Sequence, residues 1–165
     1  MKKTSIFSIA LILLLCVIPN NKTAGMTFEA TGSWSKTITS ANLTGGAGSD
    51  LTSTYESGSS QATCSIDWTW GIVDSWRVDV HKVDGTWDAN LKLYIKRTSD
   101  GWNLLAGRID CCGTSYQEVT SVSQAFFYGY GNVFDIAMQF QLAGISVSIP
   151  AGTYSTTVYL TLVDT

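Results

Sequence analysis

Residues 26–38, MTFEATGSWSKTI, alternate apolar and polar side chains over almost their whole length. Phe28, Ala30, Gly32 and Trp34 share one parity, and threonine, glutamate and serine residues occupy the other. A period of two residues is typical of a β-strand with one buried face and one face in water. We therefore predict a strand here.

The same alternation recurs downstream and predicts an all-β chain. The further predicted strands cover residues 64–70, 76–81, 91–96, 102–109, 134–142, 145–149 and 154–163. Residues 39–61 are rich in Ser, Thr and Gly, so we expect a long loop with one short edge strand near 51–55, whereas 114–132 show no clear pattern. About eight strands joined by turns favour an Ig-like antiparallel β-sandwich, with a barrel as the alternative.

The N-terminus has the pattern of a secretory leader. Lys2 and Lys3 precede an apolar run from Ile6 to Ile18, which is broken only by Ser8 and is short for a membrane-spanning helix. Small residues before Met26 predict cleavage after Gly25. We expect residues 1–25 to be a signal peptide, and a retained membrane anchor is the alternative.

The predicted mature chain, residues 26–165, has the size of one domain. Loss of three leader lysines leaves seven basic and thirteen acidic side chains, a net charge of about −6. An acidic chain is a poor partner for nucleic acids. No second apolar run predicts a membrane span in the mature chain.

The C-terminal run from Ser146 to Val163, SVSIPAGTYSTTVYLTLV, resembles the final strands of exported bacterial Ig-like proteins of the spore-coat-U and fimbrial-subunit type. The shared feature is a Pro-Ala-Gly-Thr-Tyr turn followed by an alternating Thr/Val strand. The resemblance implies a secreted sandwich at the cell surface or in the periplasm. It also implies assembly by addition of a β-strand from a neighbouring subunit.

Residues 26–38 are our candidate for strand exchange, because they would lie at the mature N-terminus. Their apolar parity presents Phe28, Ala30 and Trp34, and Gly32 permits close approach of another backbone. The alternative is that this strand pairs within its own domain.

Three cysteines remain after removal of Cys16 with the leader. We expect a Cys64–Cys111 disulfide first, since both residues follow the apolar parity of their strands. This leaves Cys112 free. Cys64–Cys112 and a vicinal Cys111–Cys112 bridge are the alternatives. A metal site is not expected, because adjacent cysteines cannot easily both bind one tetrahedral ion and His81 is the single histidine.

Six tryptophans suggest glycan binding as a second function. Trp34, Trp68, Trp70 and Trp76 follow the apolar parity and are predicted to fill the core. Trp87 and Trp102 stand beside turns, so they are the candidate ligand-binding pair.

No catalytic centre is predicted. Asp67, Asp74 and Asp79 are the acids that a small hydrolase would use, yet their positions are typical of solvated carboxylates. We therefore expect a secreted, non-enzymatic structural or adhesive surface protein without a cofactor, whose partners are copies of itself or other surface proteins. An extracellular carbohydrate-binding module is the alternative.

Overall fold

The computed structural model describes residues 9–19, 26–68, 74–103 and 106–165. Eleven strands form within these ranges, with one 3-10 turn at Ser40–Asn42. The strands are β1 Ile9–Pro19, β2 Met26–Ile38, β3 Thr54–Glu56, β4 Ala62–Trp68, β5 Ser75–Asp84, β6 Lys92–Arg97, β7 Arg108–Cys111, β8 Gln117–Glu118, β9 Gln124–Tyr130, β10 Val133–Ala143 and β11 Gly152–Asp164. In the described part of the chain, no helix has the length and the apolar composition that a membrane span requires.

Two sheets pack face to face, which confirms the predicted antiparallel sandwich. The first sheet runs β7-β9-β5-β11-β1 and ends on the second half of β2. The second sheet starts with the first half of β2 and runs β4-β10-β6-β8, with β3 also paired to β10. The β1–β11 pair is parallel, whereas the other strand pairs described are antiparallel.

The core lies between the sheets and is built by the apolar parity of each strand. Its largest fully buried side chains are Trp76, Phe126, Phe127 and Phe140. Trp76 meets Phe127 edge to face at 6.1 Å between ring centroids, and its indole N–H donates to the Gly131 carbonyl. Trp34 and Trp76 are buried as predicted, while Trp70 lies outside the described residues.

The predicted strand at 145–149 is wrong. Ile149 N–H donates to the Ser146 carbonyl, which closes a turn. This turn buries Ile145 and Ile149 and leaves Val147 53% exposed, although the three share one parity. A tight turn can thus reproduce in sequence the spacing of a short strand.

The predicted strand at 102–109 is also corrected. Trp102 makes an isolated bridge to Phe134, and the next strand, β7, begins only at Arg108. Residues 104 and 105 lie outside the described ranges. The pattern-free stretch 114–132 holds β8 and β9.

Candidate functional site

The apolar segment that we predict to be a leader occupies an interior position in the first sheet. β1 pairs in parallel with β11 from Ile9–Gly152 to Pro19–Leu162, a register of eleven positions. It also pairs antiparallel with β2 at six positions, from Ile9–Ile38 to Leu14–Ser33. The segment that we predict to be cleaved therefore separates two strands that lack a direct pairing with each other. The predicted cleavage site after Gly25 falls outside the described residues.

β2 crosses from one sheet to the other at Gly32. Residues 26–32 pair with β4, and residues 33–38 pair with β1. Gly32 has a φ of 153°, and a Cβ there would come within 2.5 Å of the Ala62 Cβ. Only glycine fits this close approach, so the crossing depends on Gly32.

The strand-exchange candidates lie inside their own domain. Phe28 and Trp34 are buried, and Ala30 packs against the core. Phe28 and Ala30 face β4 in register, whereas Trp34 pairs with Leu13 of β1. Because β2 contributes to both sheets, the candidate position for a strand from another molecule is the one held by β1.

The two candidate ligand-binding tryptophans are not brought together. Trp87 precedes β6 and lies near its start, with its indole N–H on the Leu91 carbonyl. Trp102 follows the end of β6 and bridges to Phe134 at the start of β10. β6 and β10 are antiparallel, so the two side chains lie at opposite ends of this strand pair. Trp87 and Trp102 therefore do not form one shared surface.

The Trp102 side chain is held in place by two neighbouring side chains. Its indole N–H donates to Asp135 Oδ2 at 2.8 Å, and its ring stacks at a tilt on Phe134 with 4.8 Å between centroids. The side chain is 48% exposed. Trp102 thus exposes part of its aromatic ring to solvent in a fixed orientation.

Asp135 owes its position to a β-bulge. Ile66 and Cys64 of β4, two residues apart, pair with Val133 and Ile136 of β10, three residues apart. Asp135 takes a φ of 55° there, and its backbone N–H donates to Ser65 Oγ at 3.1 Å. Bulges redirect side chains in this way, and no sequence pattern marked Asp135 in advance.

A hollow of about 470 Å³ lies beside Asp135. Its lining comes from β2, β4 and β10 and consists of Phe28, Glu29, Ala30, Thr31, Thr63, Cys64, Ser65 and Asp135. Carboxylates and hydroxyls supply its polar groups. No lysine or arginine is among the described residues that line it.

The disulfide differs from our first expectation. Cys111 is bonded to Cys112, and Cys64 is a buried free thiol. The parity of a residue indicates which face of its strand the side chain lies on, but not which sheet the strand belongs to. Cys64 faces the core from β4 in the second sheet. Cys111 ends β7 at the edge of the first sheet and is exposed. Burial raises the pKa of the Cys64 thiol to about 12, and the nearby positive charge of Arg97 offsets part of this rise.

Arg97 holds the disulfide loop against the core. Its side chain is only 5% exposed, and it donates from Nε and Nη2 to the Cys112 carbonyl at 3.2 and 3.0 Å. Its Nη1 donates to the Ser99 carbonyl and pairs with Asp100. Desolvation lowers the pKa of this guanidinium. Cys112 has a φ of 77°, so the anchored loop has an unusual backbone at this residue.

The candidate hydrolase acids do not converge. Asp79 pairs with Arg77 at 2.6 Å on the outer face of the first sheet, and Asp67 of the second sheet accepts from Asn132. His81 stacks on Tyr159 at 5.1 Å. Within the described ranges, no three His, Cys, Asp or Glu residues are grouped closely enough to hold a metal ion.

Comparison with known families finds no matching family model, and comparison with curated proteins finds no match either.

Proposed function

We propose that the chain is an exported, non-enzymatic structural or adhesive surface protein that accepts a β-strand from another molecule at the position of β1. The single observation that carries this proposal is the placement of the predicted leader in the interior of a sheet. Export would remove this strand and leave the sandwich one strand short.

The vacated position would offer pairing on both sides. β11 would lose its pairing with β1 over eleven register positions while keeping β5 on its other side, and residues 33–38 of β2 would lose their pairing over six. Backbone N–H and C=O groups left without partners are costly when buried and act as a template for an incoming strand. Pairing on two sides supports tighter binding than addition to a single sheet edge.

The flanking residues define the chemistry of the incoming strand. Both flanking strands alternate buried apolar residues with more polar ones. On β2, Trp34 and Ile38 are buried, and Ser33, Ser35 and Thr37 are exposed. On β11, Val158 and Leu160 are buried and alternate with Thr157 and Tyr159. A fitting strand therefore alternates apolar and polar residues. Residues 9–18 are apolar throughout, so they match only one of the two faces.

The C-terminal resemblance supports the same function. The Thr/Val-rich run that resembles exported fimbrial-type domains includes β11, which is one wall of the proposed acceptor position. In such proteins a neighbouring subunit supplies a strand.

Hydrogen exchange with mass spectrometry tests the proposal. When the secreted chain beginning at Met26 is alone, we expect rapid exchange at those amides of residues 33–38 and 153–162 that face the position of β1, whereas the β11 amides that bond to β5 stay protected. A soluble peptide with alternating apolar and polar residues, patterned on the register of β1, should protect both segments. A scrambled peptide of the same composition is the control, and the β6–β10 pair should stay protected throughout.

Size-exclusion chromatography and negative-stain microscopy provide the second readout. Oligomers or fibres that dissolve when the peptide is added would support strand addition. A monomer in which the amides of residues 33–38 and 153–162 that face the β1 position are already protected would refute it, because β2 would then have closed directly onto β11.

A further inference from the structure

We infer that the hollow lined by Asp135, together with the Trp102 ring that is bonded to this aspartate, binds a neutral saccharide, with Trp102 as the stacking platform and Asp135 and Ser65 as hydrogen-bonding groups. This site lies on the second sheet and is independent of the proposed strand-accepting position in the first sheet. It assigns a ligand-binding role to Asp135, Ser65 and Glu29.

The tryptophan is held before any ligand arrives. Its ring is fixed from one side by Phe134 and at its edge by the Asp135 carboxylate, while almost half of its surface stays exposed. Sugar rings carry apolar C–H faces that pack on aromatic surfaces. A ring already fixed in place loses little conformational entropy on binding, which favours affinity.

The hollow supplies the polar half of the recognition. Asp135 Oδ2 accepts from Trp102, and no described residue bonds to Oδ1. Glu29 and Ser65 sit opposite each other on β2 and β4, as do Thr31 and Thr63. Asp135 lines the hollow and also holds the Trp102 indole, so it connects the carboxylate and hydroxyl oxygens with the aromatic surface. Such a combination matches the hydroxyl-rich edge and apolar face of a sugar.

The charge of the hollow selects the ligand class. Glu29 and Asp135 line it without a lysine or arginine among the described lining residues. Two carboxylates repel sialic and uronic acids, so the fitting ligands are neutral hexoses and N-acetylhexosamines.

Trp87 lacks these properties. Lys82 Nζ lies over its ring at 4.6 Å, and its indole N–H is used by the Leu91 carbonyl. The ring is therefore covered on one face and packed against the core.

The test is binding of the purified full chain to an array of neutral, sialylated and uronic-acid oligosaccharides, followed by titration calorimetry with the strongest neutral hit. We expect Trp102→Ala to weaken binding at least about tenfold. Asp135→Ala should weaken it similarly. Tyr128→Ala removes another exposed aromatic residue, which lies on β9 of the first sheet and does not line the hollow, and should leave affinity unchanged.

The Trp102→Phe variant distinguishes loss of the stacking surface from disruption of the fold, because it keeps an aromatic ring and removes only the indole N–H. This variant should retain more affinity than Trp102→Ala, with unchanged circular dichroism. Absence of binding to every neutral oligosaccharide, a preference for anionic ones, or full affinity in Trp102→Ala would overturn the inference. Release of new reducing ends would contradict the proposed non-enzymatic function and not the binding site, because hydrolysis requires a bound sugar.

Discussion

Replacing Arg97 with methionine should destabilise the fold by about 3 kcal/mol, because its guanidinium is buried and holds three acceptors. Those acceptors are the Cys112 carbonyl, the Ser99 carbonyl and the Asp100 carboxylate. Methionine keeps the unbranched stem as far as the position of Nε but donates no hydrogen bond. The Cys112 carbonyl would lose two donors at once.

The expected change in melting temperature follows from the size of the chain. For a protein of 150–250 residues, 1 kcal/mol corresponds to roughly 2–4 °C, so Arg97→Met should melt about 10 °C lower. Circular-dichroism melting at neutral pH measures this shift. Urea titration supplies the free energy of unfolding independently.

Arg108→Met is the matched control. Arg108 also pairs with an aspartate, Asp110, but its side chain is 65% exposed. Exposed ion pairs contribute little to stability, so this variant should melt with the wild type. Equal shifts for Arg97→Met and Arg108→Met would refute the anchoring role of Arg97.

Three further predictions concern the cysteines and one close contact. Peptide mapping should find Cys111 and Cys112 bonded to each other within one peptide, and a disulfide that contains Cys64 would contradict this. Reductant should lower the melting temperature by only about 3 °C, because a bond between adjacent residues closes a minimal loop worth about 1 kcal/mol. The free energy of unfolding should fall as pH rises from about 9 to about 12, because unfolded Cys64 releases its thiol proton at lower pH than the folded residue, whose pKa is raised to about 12. Cys64→Ala should lack this component of the slope, and an identical slope would count against it. Gly129→Ala would place a Cβ 2.5 Å from the Trp76 ring, so we expect a loss of roughly 1–3 kcal/mol in urea titration, and wild-type stability would contradict the packing.

Much of the fold was predictable because strand alternation is local. The strands that contain Trp34, Val78, Ile95 and Phe140 follow their apolar parity closely, and these four side chains are buried. The pattern failed where a different local geometry has the same spacing. The turn at Ser146–Ile149 is the clearest case, since it buries two isoleucines four residues apart.

The candidate site was only partly predictable. Trp102 was found from its place beside a turn, but Trp87 was assigned with it although the two lie at opposite ends of the β6–β10 pair. Asp135 was missed because its role depends on a bulge and on Ser65, which is 70 residues away in sequence. Hydrogen bonds over such separations leave no periodic signal.

By itself, the sequence determined the all-β class, the burial of the apolar parity and the apolar character of residues 9–18, because these follow from side-chain order along one strand. The tertiary structure alone decided that Ile9–Pro19 separates β2 from β11, that Cys111 bonds to Cys112, and that Trp102 meets Asp135 beside a hollow. The physical reason is that pairing partners and sheet membership are set by packing between segments distant in the chain. A period of two residues specifies a face, whereas a site requires several faces to meet.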